Sequence, residues 1–238
     1  MHRVKKKDAY DFFSAAIKKA PDVNHVITGY HRLIVSKMKR FHDSKNLRQL
    51  MDQMVSIEIP KSAERKLYFA LFENLLGLGM VMEEAPLSWI SAKTSLLVAA
   101  DYISEFLQES TNIDLISQAR RYQGQVGINM VQLEVSNNDL DQALFVATEN
   151  LDNVKKYSTD YVAEAYNTLG YTEYLCKNYE DAIVHLKTAV DEQSKIGNLD
   201  GIIDARRILI SCYVKLKDNK KAETEARLII EKSFEFED

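Results

Sequence analysis

The chain has 238 residues, a net charge of −4, and only eight Gly and three Pro beside abundant Leu, Ala, Lys, Glu and Ile. This composition excludes a collagen-like or turn-rich all-β protein and favours long helices. No window approaches about eighteen uninterrupted apolar residues, so no transmembrane span is expected, and the basic start runs into Asp8 and Asp11 rather than a secretory apolar stretch.

In chain order, the first helix is expected over 8–20, with Tyr10, Phe13, Ala16 and Ile17 on one face and Pro21 ending it. Asp22 can cap a second helix that runs through Val26, Ile27, Tyr30, Leu33 and Ile34 to Met38. A third covers 45–57 and is broken by Ile57-Glu-Ile-Pro60, since the residue before proline avoids the helical region. Lys61 or Ser62 opens a long helix to Met82 that is apolar nearly all round. Gly77 and Gly79 near its end would permit close helix approach. After Pro86 another helix reaches Leu107. Six more follow near 113–136, 139–157, 160–176, 179–196, 200–217 and 219–236, joined by links of two to four polar residues that force antiparallel neighbours.

The last six helices are self-similar. Leu140-Asp-Gln-Ala143, Tyr179-Glu-Asp-Ala182 and Asn219-Lys-Lys-Ala222 open alternate helices, at spacings of 39 and 40 residues. A fixed period of this size marks a helical-repeat array. Its best unit, Ala165 to Ala189, resembles a tetratricopeptide repeat: Tyr166, Leu169, Gly170, Tyr179, Ala182, Leu186 and Ala189 match that family's pattern of large and small packing residues. Gly170 and Ala182 are small where two antiparallel helices would touch. In the preceding unit Gly127, Met130, Leu140, Ala143, Ala147 and Leu151 take matching places; in the following one Leu209, Tyr213, Ala222, Ala226 and Ile229 do, with Ile210 replacing the small residue.

The spacing exceeds the family's usual ~34 residues. It resembles the longer repeats of bacterial intracellular peptide-pheromone receptors, in which an N-terminal effector module precedes an array that closes on a short peptide. No helix-turn-helix is evident at the start of the chain. The resemblance implies an all-α, right-handed helical-repeat solenoid of about eleven helices. Residues 1–58 would form a basic helical segment, 59–110 irregular helices or a divergent repeat, and 111–238 three tetratricopeptide-like pairs. A phosphatase-like accessory activity, as some members of that group have, would need a side chain of the N-terminal bundle to position water; Gln49 and Gln53 are available there.

In such arrays the first helix of each pair lines the groove. The expected ligand-binding stripe is therefore Gln125, Asn129 and Gln132 in the first unit, Glu164, Asn167, Tyr171 and Tyr174 in the second, and Asp204, Arg207 and Ser211 in the third. An Asn amide both donates and accepts, so it can clamp an extended peptide backbone. Arg207, with Arg206, Arg120 and Arg121 near it in the pattern, could fork onto a ligand carboxylate, and tyrosines add apolar area with a polar tip.

The charge is unevenly spread: residues 1–50 carry twelve Lys/Arg against four Asp/Glu, and the remaining 188 carry nineteen against thirty-one. A basic contact patch is expected at Arg32, Lys37, Lys39 and Arg40, suited to an acidic partner or to nucleic acid. His25, His31 and His42 lack ligand spacing with carboxylates, so neither a metal nor a cofactor is expected. Cys176 and His185 fall on different helices with nothing in the sequence to orient them. No nucleophile, phosphate-loop or zinc-protease motif is present, which argues against an enzyme. Cys176 and Cys212 read as reduced thiols on helices of a cytoplasmic protein. The sequence therefore points to a regulator that binds a short peptide or partner segment. An assembly scaffold or co-chaperone-like adaptor, self-associating as a homodimer, is the competing reading.

Overall fold

Sparse Gly and Pro leave helices and short turns as the regular structure among the described residues, which are 6–40, 46–59, 64–82, 88–158 and 161–234 of the computed structural model. Within them the chain forms eleven α-helices and no strand. These are α1 Lys6–Lys18, α2 Val23–Val35, α3 Leu47–Val55, α4 Glu64–Met82, α5 Ser88–Glu109 and α6 Ile113–Ser136. Then come α7 Leu140–Tyr157, α8 Val162–Leu175, α9 Tyr179–Lys195, α10 Leu199–Lys215 and α11 Asn219–Phe234. No described helix is long and apolar enough to cross a membrane. The expected helix start at Lys61 or Ser62, Pro86, His42 and the tail beyond Phe234 lie outside the described residues. The chain divides into two units, Met1–Ala119 and Arg120–Asp238, with the boundary inside α6.

In the first unit, the Asp22 carboxylate caps α2 by accepting the His25 N–H at 3.0 Å, as its position before the apolar run predicts. Helix α2 does not stay α-helical to Met38. Ser36–Arg40 form a π-helical turn, whose wider winding displaces the register that a 3.6-residue period assumes. Lys37 and Met38 stand four residues after buried Leu33 and Ile34 and are themselves buried, and the Lys37 ammonium sits 4.3 Å from the centre of the Tyr10 ring. The core of this unit is the α4–α5 pair. Leu67, Leu71, Leu75 and Leu78 supply one stripe of α4, and Ala92, Leu96, Ala99, Ile103 and Phe106 face it from α5. Gly77 sets the approach: a Cβ there would lie 2.7 Å from Leu96 Cγ and 3.1 Å from the Ala92 carbonyl oxygen.

The second unit repeats that contact. A Cβ on Gly170 of α8 would lie 2.6 Å from Leu186 Cγ and 3.2 Å from the Ala182 carbonyl oxygen of α9. The same triad of Gly, Ala and Leu thus brings α8 onto α9 and α4 onto α5. Ala182, Leu186 and Ala189 are fully buried and continue into a cluster with Ile202, Ala205, Leu209 and Cys212 of α10. Each such leucine contributes roughly 1.5–3 kcal/mol. The preceding pair differs from its expected pattern. Twelve residues before Ala143, where Gly170 stands relative to Ala182, the chain has buried Val131. Gly127 lies about one turn earlier and makes room for Asn150 of α7, whose amide donates to the Gly124 carbonyl at 3.2 Å.

The turns explain the period. Asn138, Lys177, Gly197 and Lys217 all take the left-handed conformation that ends a helix, at φ between 59° and 67°. Each is followed by an Asx residue opening the next helix. Asp139, Asn198 and Asp218 accept the N–H three residues on, from Gln142, Gly201 and Lys221. Between Lys177 and Lys217 one helix plus one turn therefore takes 20 residues, and a pair takes 40.

Candidate functional site

Helix α8 has two distinct faces because its residues alternate at helical spacing. Ala163, Ala165, Leu169 and Gly170 are buried, while Asn167 and Tyr174 are half-buried and Tyr171 is 41% exposed. The Asn167 side-chain oxygen is buried and has no hydrogen-bond partner among the described residues. Tyr174 leans on Tyr179 across the turn to α9, with ring centres 5.8 Å apart. Helix α10 touches α8 and presents the equivalent stripe. Arg207 and Asp204 are both exposed and 3.4 Å apart, an ion pair too solvated to hold the guanidinium in place. Ser211 donates back to the Arg207 carbonyl at 3.1 Å. The neighbouring arginines are otherwise engaged: Arg206 bonds Glu225 of α11, and Arg120 bonds Gln123 and covers the Tyr157 ring at 4.0 Å.

Helix α6 contributes less of its expected stripe. Gln132 is exposed, but Gln125 is buried and Asn129 is 0% exposed. Gln125 and Gln132 are in register with Glu164 and Tyr171, so the burial of Gln125 is a difference of packing, whereas Asn129 is out of register. In α8 and α10 the stripes run i, i+3, i+7 through 164, 167, 171 and 204, 207, 211; the position equivalent to Asn167 in α6 is Ile128. Asn129 lies one residue further, about 100° round the helix, where it is packed inside.

The basic head is also rearranged. Arg32 is exposed, Lys37 is buried on the face of Leu33 and Ile34, and the side chains of Lys39 and Arg40 lie outside the described residues. Lys37 instead lines a small cavity with Tyr10, Ser14, Gln49 and Gln53.

One constellation was not anticipated. His185 Nδ1 of α9 lies 2.8 Å from the Glu173 carboxylate of α8, and its ring stacks on Tyr166 at 6.0 Å. Tyr166 and Glu173 stand four residues before and three after Gly170, so the face that carries the helix contact also carries them; that spacing was the available signal. His185 is therefore oriented, contrary to expectation, but by a carboxylate rather than toward a thiol. Burial pushes the Glu173 carboxyl above its ordinary range, against the opposing pull of His185. Burial likewise raises the Cys176 thiol, which points at the Leu140 carbonyl, and pushes Cys212 up to about 11. Raised thiols are poor nucleophiles at neutral pH.

No family model matches the sequence, and no curated protein is significantly similar to it. Solved structures are similar in fold. A STAND (signal transduction ATPase with numerous domains) protein with a tetratricopeptide repeat sensor, from Pyrococcus horikoshii, superposes with a TM-score of 0.65 at 16% identity, over 98% of this chain and 34% of that one. A Rap protein complexed with competence and sporulation factor gives 0.59 at 15% identity, over 100% of this chain and 68% of that one. The apo form of RapI gives 0.54 at 13%, over 96% and 72%. The chain thus spans about a third of the length of the STAND protein it matches. It has a tetratricopeptide-like helical-repeat fold resembling that of the Rap proteins.

Proposed function

We propose that this protein is a cytoplasmic, non-enzymatic regulator whose first-helix stripe on α8 and α10 binds a short peptide or partner segment. The observation that carries the reading is the Asn167–Tyr171 stripe. A carboxamide whose oxygen lacks a hydrogen bond lies one turn from a half-exposed tyrosine, beside a helix that offers a loosely held Arg207. A peptide backbone N–H supplies the donor that this oxygen lacks, and a peptide carboxylate suits the guanidinium. The Rap structure solved with competence and sporulation factor supports the reading by fold. Both cysteines are free, in keeping with a reducing compartment.

The test is selection of binders from a random-peptide display library, followed by fluorescence-anisotropy titration of wild type and Asn167→Ala/Arg207→Ala. Loss of an Asn and a charged hydrogen-bonding group should weaken binding by roughly tenfold or more. Selected peptides that bind the folded double variant undiminished would remove this site.

The scaffold reading also has an observation behind it. Phe145 of α7 and Val184 of α9 are exposed at the same repeat position, two residues after Ala143 and Ala182. Light scattering of wild type beside Phe145→Ser/Val184→Ser distinguishes self-association through that face from a monomer.

A further inference from the structure

A second cavity, of about 280 Å³, is lined wholly by residues of the first unit. Its walls are part aromatic and part aliphatic, the latter from Ile27, Val55 and Ile59. Tyr68, Phe69 and Phe72 reach it from α4 and Tyr102 from α5, with Met54 of α3 closing one side. The spacing of α4 explains three of these: residues 68, 69 and 72 fall on adjoining strips of one helix face. Tyr102 is held against Phe69, with ring centres 5.7 Å apart and planes tilted by 42°.

One acidic side chain, Glu73, shares the lining. It makes no hydrogen bond or ion pair with any described residue, although basic residues stand close in the sequence. Lys66 is taken by Glu105 and Glu109, at 2.8 and 2.7 Å. Arg65, one turn before Phe69, lies 5.0 Å from the centre of that ring. Burial first, then the charges of Glu64 and Asp22, push the Tyr68 phenol up to about 12.

Ring faces are negative, and Glu73 adds a full charge beside them, so an anion is repelled and a neutral guest gains nothing from the carboxylate. The volume is small for a drug-sized ligand. A strongly hydrated ion such as Na⁺ or Mg²⁺ would find one carboxylate and few other oxygens. An ammonium wrapped in alkyl groups meets all the walls at once: apolar carbon on the rings and Met54, positive charge toward Glu73.

We propose that this cavity binds a small alkylammonium ion, its methyl or methylene groups against Tyr68, Phe72 and Tyr102 and its charge facing Glu73. The assignment does not depend on peptide binding at α8 and α10, and its test is separate.

Isothermal titration of the full chain with tetramethylammonium, choline and 3,3-dimethyl-1-butanol separates charge from shape, because the alcohol is choline's uncharged carbon isostere. The two cations should bind, and the alcohol should bind at least about tenfold more weakly. Glu73→Gln should cost choline about tenfold while leaving the alcohol unchanged, and Phe72→Leu should weaken choline as well. Glu73 is half-exposed, so its variant should fold, and circular dichroism verifies this. Nuclear Overhauser contacts from the choline methyls to the Tyr68 and Phe72 rings would place the ligand. Equal binding of alcohol and choline would make this a plain apolar cavity and overturn the proposal. So would failure of both cations to bind, or an unchanged choline affinity in Glu73→Gln.

Discussion

Two glycine-to-alanine substitutions should move stability in opposite directions, because one glycine is a contact and the other is not. Alanine is favoured over glycine inside a helix by about 1 kcal/mol. At Gly79 that gain should be realised, since the new methyl would meet only Met38 Cε, at an ordinary 3.6 Å. At Gly170 the methyl would lie 2.6 Å from Leu186 Cγ, 3.0 Å from its Cδ2 and 3.2 Å from the Ala182 carbonyl oxygen. Leu186 is fully buried and cannot swing into solvent, and the carbonyl moves only if α9 moves. Overpacking of this kind costs about 1–3 kcal/mol. With a backbone atom in the way the upper part of that range applies, so the net loss for Gly170→Ala should be about 1–2 kcal/mol. For a chain of this length that corresponds to a fall in Tm of roughly 2–8 °C, against a rise of roughly 2–4 °C for Gly79→Ala. Thermal unfolding followed by circular dichroism, with urea midpoints at unchanged slope, measures both. A Gly170→Ala protein as stable as wild type, beside a stabilised Gly79→Ala, would refute the claim that Gly170 sets the α8–α9 distance.

Three further outcomes follow from buried groups of the second unit. Because burial raises the Glu173 carboxyl above its ordinary 4.5, the native state binds more protons than the unfolded chain between that value and the raised one. Wild-type stability should therefore fall as pH climbs through that window, and Glu173→Gln should flatten the slope; parallel urea-midpoint profiles for the two proteins would contradict this. A thiol reagent at about pH 8, close to a free cysteine's own pKa, should label half-buried Cys176 slowly and leave buried Cys212 untouched until denaturant is added. Mass spectrometry of the labelled peptides would expose the reverse order. Asn150→Ala should lose about 1–3 kcal/mol, because it removes the bond to the Gly124 carbonyl and empties the space over Gly127. An unchanged Tm would show that bond to be dispensable.

The sequence by itself determined the helices, their order and the repeat of the second unit. These are local properties: apolar periodicity, Asx residues after left-handed turns, and small residues at Gly170 and Ala182 all act within about forty residues. Asp22 as a cap and the break after Val55 were legible for the same reason. The candidate stripe was legible in part. Asn167, Tyr171, Arg207 and Ser211 share one register on α8 and α10, whereas in α6 Asn129 is one residue out of phase and both it and Gln125 are buried.

Tertiary structure decided what depends on atoms far apart in the chain or on departures from ideal geometry. The Gly77–Ala92–Leu96 contact repeats that of Gly170, but its Gly and Ala are 15 residues apart rather than 12, which hides it from a search by period. Lys37 lies on the same face as Leu33 and Ile34, and only the packed structure shows its charge drawn in over the Tyr10 ring rather than left in the expected basic patch. Glu173 met His185, and four aromatic rings closed around a space beside Glu73, only once helices packed. Periodicity says which face of a helix is buried; which residues of two buried faces meet is fixed by the distance and angle at which the helices cross.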